Sequence, residues 1–239
     1  MGVMKEAVGD AILTSLWVFS APMMGILTPI IAAYVGVQAR SLAGLFITTI
    51  VVTVLVLTFS LIGKALGGAS FNPSSTVSFY AAGLRPQSSL ISIAARFPAQ
   101  AAGGVGGAKA ILQVMPGQYK PRLKGPFLKV DLHTGAVVEG VLTFVLSFAL
   151  LLIMLRGPKS PLLKVWLLAA TTVGLVVAGS GYTGPSMNPA NAFGWAFLNS
   201  QHNSWEHFYV YWICPLTGAT LAGWIFRFLF VQPIKEKKA

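Results

Sequence analysis

Gly184-Pro185-Ser186-Met187-Asn188-Pro189-Ala190 stands late in the chain and has a twin, Gly68-Ala69-Ser70-Phe71-Asn72-Pro73-Ser74. Both stretches keep Gly, Ser, Asn and Pro at matching places, with an apolar residue before each Asn. The chain holds five Asn and 14 Pro among 239 residues. At that composition about 0.3 Asn-Pro pairs are expected by chance, so two in one frame mark a repeat. Each Asn follows a Gly-containing turn and precedes a short, mostly apolar run. That is how a helix starts, with Asn at the N-cap and Pro at the first helical position, where its missing N–H costs nothing.

Composition fixes the solvent. Hydrophobic residues make up 55% of the chain and charged ones 10%, with a mean hydropathy of +0.72. Soluble domains carry about a quarter charged residues. Apolar runs of bilayer-crossing length, about 20 residues, recur along the sequence. The chain reads as a polytopic α-helical membrane protein. Its net charge of +11 sits mostly in short connections and at the C-terminus. No stretch pairs a soluble fold with a basic, aromatic-studded face, so nucleic acid is not the expected partner. Basic loops on a membrane protein instead set topology and touch anionic lipid.

The single Cys214 allows no internal disulfide and reads as a small apolar packing residue. His133, His202 and His207 lack metal-ligand spacing with Cys or carboxylates, so no metal is expected. No Asn-X-Ser/Thr acceptor occurs. The first apolar run exceeds the core of a signal peptide and reads as an anchor that stays.

In chain order, span one runs from about Ala11 to Val37, with a bend or early end expected at Pro22 and Pro29. Span two is Ser41 to Ile62, a β-branched run that lipid makes helical because every backbone group must be satisfied within the segment. Asn72 to Gly83 gives about 18 Å of helix, little more than half the bilayer core. Too short to span and too apolar for an exposed loop, it fits a re-entrant half-helix. Span three is about Leu90 to Leu112, with Gln100 inside it and small residues that permit close contact. Arg96 near its start is expected to snorkel to the interface. A basic connection, Met115 to His133, leads to span four, Thr134 to Leu155. Span five is Leu162 to Gly179, the second half-helix Asn188 to Leu198, and span six His207 to Val231.

The layout is three spans with a half-helix after the second, then the same again. The expected fold is therefore an all-α membrane protein of six transmembrane helices and two re-entrant half-helices. The chain is one channel domain, with repeats of about 1–113 and 130–231 and a basic tail, 232–239. An odd number of spans per repeat turns the second half upside down. The half-helices then enter from opposite faces and meet N-terminus to N-terminus at the midplane, where inverted repeats place their permeation site. Asp10 and Glu139 occupy equivalent places near the starts of spans one and four. Intramembrane carboxylates face the bundle interior. Each is expected to act structurally, accepting hydrogen bonds from the loop that carries its half-helix.

Asn72-Pro73-Ser74 and Asn188-Pro189-Ala190 resemble the paired boxes of the major intrinsic protein (aquaporin) superfamily. The likeness covers nearly the whole chain, including Tyr182-Thr183-Gly184 and, in span six, Pro215 with Gly218. Small size, basic charge and a first box ending in Ser resemble the plant small basic intrinsic protein subfamily. The resemblance implies a six-span pore per subunit, a homotetramer, water and small neutral solutes as cargo, and no cofactor.

The Asn72 and Asn188 amides can offer N–H donors to passing water while their carbonyl oxygens cap backbone. The two half-helix N-termini, each worth about half a positive charge, raise a barrier to cations and protons. No bond is broken, so no enzyme is expected. Matching positions to the family's boxes puts Val52, Val176, Pro185 and Asn191 around an outer constriction. In most of the family an Arg stands at the place of Asn191, and a His often at that of Val176. Here the ring is neutral and largely apolar, which opens the solute range beyond water. A channel for another small neutral solute and a secondary transporter on an inverted repeat are the alternatives. The transporter needs coupling-ion groups that the chain scarcely offers beyond Asp10 and Glu139. Six spans put both termini on one side, expected to be the cytosol. The tail Lys235-Glu236-Lys237-Lys238-Ala239, with Lys235 and Lys237 five and three residues from the end, resembles a dilysine retrieval signal and points to the endoplasmic reticulum.

Overall fold

The computed structural model describes residues 2–85 and 88–231, and among these there is no strand. Helices α1 (Val3–Ser20) and α2 (Met24–Tyr34) form one bent rod, joined by a 3-10 turn at Ala21–Met23. The joint falls at Pro22, whose ring crowds the preceding turn. Pro29, the other expected break, stays inside α2. The rod begins at Val3 rather than Ala11, because its first turns are helical despite Lys5 and Glu6.

Helix α3 (Leu42–Ala65) starts where the Ser41 hydroxyl accepts from Gly44 N at 3.1 Å. Its β-branched run is helical, and Thr48, Thr49, Thr53 and Thr58 each donate their hydroxyl to the carbonyl four residues back. No side-chain donor of these four is left facing hydrocarbon. The short α4 (Pro73–Ala81) follows, then α5 (Leu90–Val114). The second repeat brings α6 (Leu132–Arg156), capped by Asp131, α7 (Pro161–Gly179), capped by Ser160, and the short α8 (Pro189–Leu198). The last rod joins α9 (Trp205–Phe208), a π-turn at Tyr209–Ile213 and α10 (Cys214–Phe230). The widened turn sits just before Pro215, whose ring would clash with the carbonyl of Tyr211 in a regular helix.

Among the described residues, five rods are long and apolar enough to cross a membrane: Val3–Tyr34, Leu42–Ala65, Leu132–Arg156, Pro161–Gly179 and Trp205–Phe230. Helix α5 matches them in length with 25 residues, but Arg96, Gln100, Lys109 and its glycines make it less apolar. At 9 and 10 residues, α4 and α8 are far too short to span. Their lengths make them re-entrant.

Packing follows a two-fold pattern. Helix α1 packs on α5 as α6 packs on α10, and α3 packs on α7. Each half-helix is braced by the opposite repeat, α8 against α5 and α4 against α10. Gly104 and Gly194 bring the α5 and α8 backbones together, since a Cβ on either would strike the other segment's main chain.

Candidate functional site

Asn72 and Asn188 are the N-caps of α4 and α8, both in extended conformation, with Pro73 and Pro189 next in line. Asn72 Oδ1 accepts from Ser74 N at 2.8 Å, and Asn188 Oδ1 accepts from Ala190 N at 3.1 Å and Asn191 N at 3.3 Å. The amide nitrogens then cross the repeat axis. Asn72 Nδ2 donates to Met187 O at 3.0 Å, and Asn188 Nδ2 donates to Phe71 O at 3.0 Å. Each primary amide has two N–H groups, so this reciprocal pair leaves one donor on each Asn. Ser74 and Ala190, which follow the cap prolines, are 1% and 0% exposed.

Behind each cap a buried carboxylate holds the loop. Asp10 Oδ1 accepts from Ser70 N at 2.7 Å, and Glu139 Oε1 accepts from Ser186 N at 2.9 Å. Ser70 and Ser186 then donate their hydroxyls to the carbonyls of Asn72 and Asn188, at 3.2 and 2.8 Å. The remaining partners differ. Asp10 takes a two-point contact from Arg96, with Nε and Nη2 each 2.6 Å away, and a further bond from Gln100 Nε2 at 3.0 Å. Gln100 Nε2 also donates to Ser70 O at 2.9 Å. Glu139 has no cation among the described residues: Thr183 Oγ1 donates to Oε1 at 3.0 Å and Met187 N to Oε2 at 3.0 Å. Tyr211 adds its hydroxyl to Thr183 O at 3.0 Å.

Arg96 corrects a sequence expectation. It does not snorkel to the interface: it is 1% exposed, paired with Asp10 and 3.5 Å from Glu6. Arg96 and Gln100 stand four residues apart, one turn of one face, and that spacing was the available signal. Which residue of α1 the face would meet depends on helix register, which a single sequence does not state. Arg85, after α4, joins the same group of charges. Burial, then the Arg96 charge, lower its pKa, while Glu6 and Asp10 raise it.

The second box carries the strained backbone: Met187 has φ of 50°, unusual for a residue with a side chain, whereas Gly184 (55°) and Gly68 of the first box (86°) are glycines, for which positive φ is unstrained. Met187 is held there by Glu139 on its N–H and Asn72 on its carbonyl.

Of the four residues expected at the outer constriction, Asn191 and Pro185 flank the second cap. Asn191 Nδ2 donates to Ser186 Oγ at 3.1 Å, and Pro185 packs on Gly179 at the end of α7. Val52 and Val176 lie on α3 and α7, which pack on each other; Val52 is half-buried and Val176 is exposed. No charge stands on any of the four. The basic connection after α5 runs alongside this region, with Phe127 N donating to Thr183 O at 3.0 Å and Lys129 N to Tyr182 O at 2.8 Å. Cys214 is half-buried, and among the described residues no group of side chains could hold a metal ion. Lys235 and Lys237 lie outside the described residues.

Similarity to known proteins points one way. The family model of the major intrinsic proteins matches residues 1–226. Aquaporin SIP1-1 of Oryza sativa subsp. japonica is 52% identical, across 100% of this chain and 98% of its own length. Aquaporin SIP1-1 of Zea mays is 54% identical, across 98% of this chain and 96% of its own. Aquaporin SIP1-1 of Arabidopsis thaliana is 49% identical, across 100% and 98%. Among solved structures, the aquaglyceroporin from Plasmodium falciparum superposes with a TM-score of 0.68 at 18% identity, covering 95% of this chain and 96% of that one. That likeness speaks to the fold alone. With its paired caps, crossed asparagines and matched relatives, the chain belongs to the major intrinsic protein family.

Proposed function

We propose that the protein is a passive membrane channel for water, with small neutral solutes as a wider cargo class. One observation carries the reading. Each cap asparagine spends one N–H on the opposite repeat's carbonyl and keeps one, which gives two donors side by side where two half-helix N-termini meet. A water oxygen accepts from both, while a cation or proton meets two positive helix ends. The neutral ring of Val52, Val176, Pro185 and Asn191 supports the wider solute class, since no fixed cation stands there. A coupled transporter is disfavoured because Asp10 and Glu139 are fully engaged in holding loops. The chain carries no catalytic role in this reading.

Stopped-flow light scattering on proteoliposomes tests it. Wild type is expected to shrink faster than empty liposomes under an osmotic step. Val176→Trp is expected to slow it by bulk alone. If both variants insert and fold yet match empty liposomes, the channel assignment is wrong.

The same reading places four subunits around one axis, both termini in the cytosol, and the protein in the endoplasmic reticulum. The last of these rests on Lys235 and Lys237. Changing both to Ala is expected to release a tagged protein to later membranes. A wild type already resident in a later membrane would sink that assignment.

A further inference from the structure

Beside the crossed asparagines, three aromatic rings from three elements pack together, at the edge of the core cluster that includes Val18 and Ile111. The carbonyl of Phe71 receives the Asn188 amide, so this residue sits at the meeting point of the half-helices. Its ring lies flat on the indole of Trp17, with centroids 4.1 Å apart and planes 14° apart. Phe59 of α3 meets both edge-on, 5.2 Å from Trp17 and 5.9 Å from Phe71. Trp17 follows Asp10 by seven residues, about two turns or 10 Å along α1. The helix that anchors the first loop therefore also carries the indole to the level of its cap.

Among the described residues, no such stack stands beside the second asparagine. The residue before its asparagine is Met187, 2% exposed and turned inward by its left-handed backbone. Phe71 and Trp17, by contrast, are only half-buried. Rings stacked at 4.1 Å leave no passage between them, so on the channel reading a solute goes past the stack, along the asparagines. The ring faces offer it no ordinary hydrogen bond. A polyol squeezing past has to give up hydration on the side facing the rings, while a single water keeps its bonds to the amide donors.

We propose that Trp17, Phe71 and Phe59 form a size filter on the first-repeat side of the asparagine pair, which passes water and neutral solutes smaller than glycerol and holds back solutes of glycerol size. This inference rests on the channel reading above. It places solute selection at the aromatic group rather than at the neutral outer ring.

The test measures water and glycerol permeability on the same proteoliposomes. Trp17→Ala is expected to raise glycerol permeability about tenfold over wild type while water changes by less than about twofold. Trp17→Phe retains a stacked ring and is expected to stay near wild type for both. Should Trp17→Ala not insert, Trp17→Leu is read in the same way, since it removes the flat face and keeps apolar bulk. A Trp17→Ala or Trp17→Leu channel that conducts water above empty liposomes with the wild-type glycerol rate overturns the filter alone. A wild type that conducts no water overturns the channel reading, and the filter with it.

Discussion

In the first half of the molecule a carboxylate holds its half-helix loop as a member of an ion pair. In the second half a carboxylate does the same with neutral donors alone. Asp10 is matched by Arg96 at two points, whereas Glu139 relies on two backbone N–H groups and a threonine hydroxyl. The loops they hold are nevertheless alike, each Ser N–H on the carboxylate and each Ser hydroxyl on the asparagine carbonyl. What the architecture demands is therefore acceptors at a fixed place. The means of stabilising their charge is free to vary between repeats, and the two solutions fail differently when disturbed.

The largest effect is expected from Arg96→Met. It strands the 0% exposed Asp10 without its cation, and breaking a buried pair from one side costs about 3–5 kcal/mol. Thermal unfolding of the detergent-solubilised protein should show it. Adding Asp10→Asn should restore part of the loss, because the neutral amide no longer needs a counter-charge. A double variant as unstable as Arg96→Met would mean the arginine acts by packing and not by pairing.

Glu139→Gln should cost less, about 1–3 kcal/mol, by turning one acceptor into a donor that faces Met187 N or Ser186 N. The same melt measures it. A loss equal to that of Arg96→Met would erase the contrast between the halves.

Smallest is Tyr211→Phe, which removes a neutral bond to the Thr183 carbonyl worth about 0.5–1.5 kcal/mol. Water permeability is expected to stay near wild type, with the melting temperature slightly lower. A large fall in permeability at unchanged stability would assign Tyr211 a direct part in conduction instead.

Much of this was legible in advance. The two Asn-Pro frames located the starts of both half-helices to within a residue, because Asn at the cap and Pro at the first turn are local chemistry. Span lengths followed from hydropathy, which is also local. The bent first rod was readable from Pro22, although its start at Val3 was hidden by Lys5 and Glu6. What stayed hidden depends on two distant segments at once. The Arg96 pairing needs the register of α5 on α1, and the Trp17 stack needs α1 to pass close to the loop before Asn72. The left-handed Met187 is a backbone choice made by its neighbours, with no sign of its own in the sequence, whereas the π-turn had one in Pro215 just after it.

The buried arginine also bears on how the chain enters the membrane. At the centre of a helix an Arg opposes insertion by about 2.5–3.5 kcal/mol, and by less nearer an end; Arg96 is the seventh of the 25 residues of α5, which has few strongly apolar residues with which to offset it. Its counter-charge, Asp10, belongs to the rod made first. Fused to an insertion reporter, Leu90–Val114 alone should integrate less often than the same segment preceded by Val3–Ala65, and equal integration would remove the dependence. On this account α5 is a dependent passenger at the translocon, admitted by a partner that is already there. The order of synthesis, with α1 ahead of α5, is then part of what makes the fold reachable.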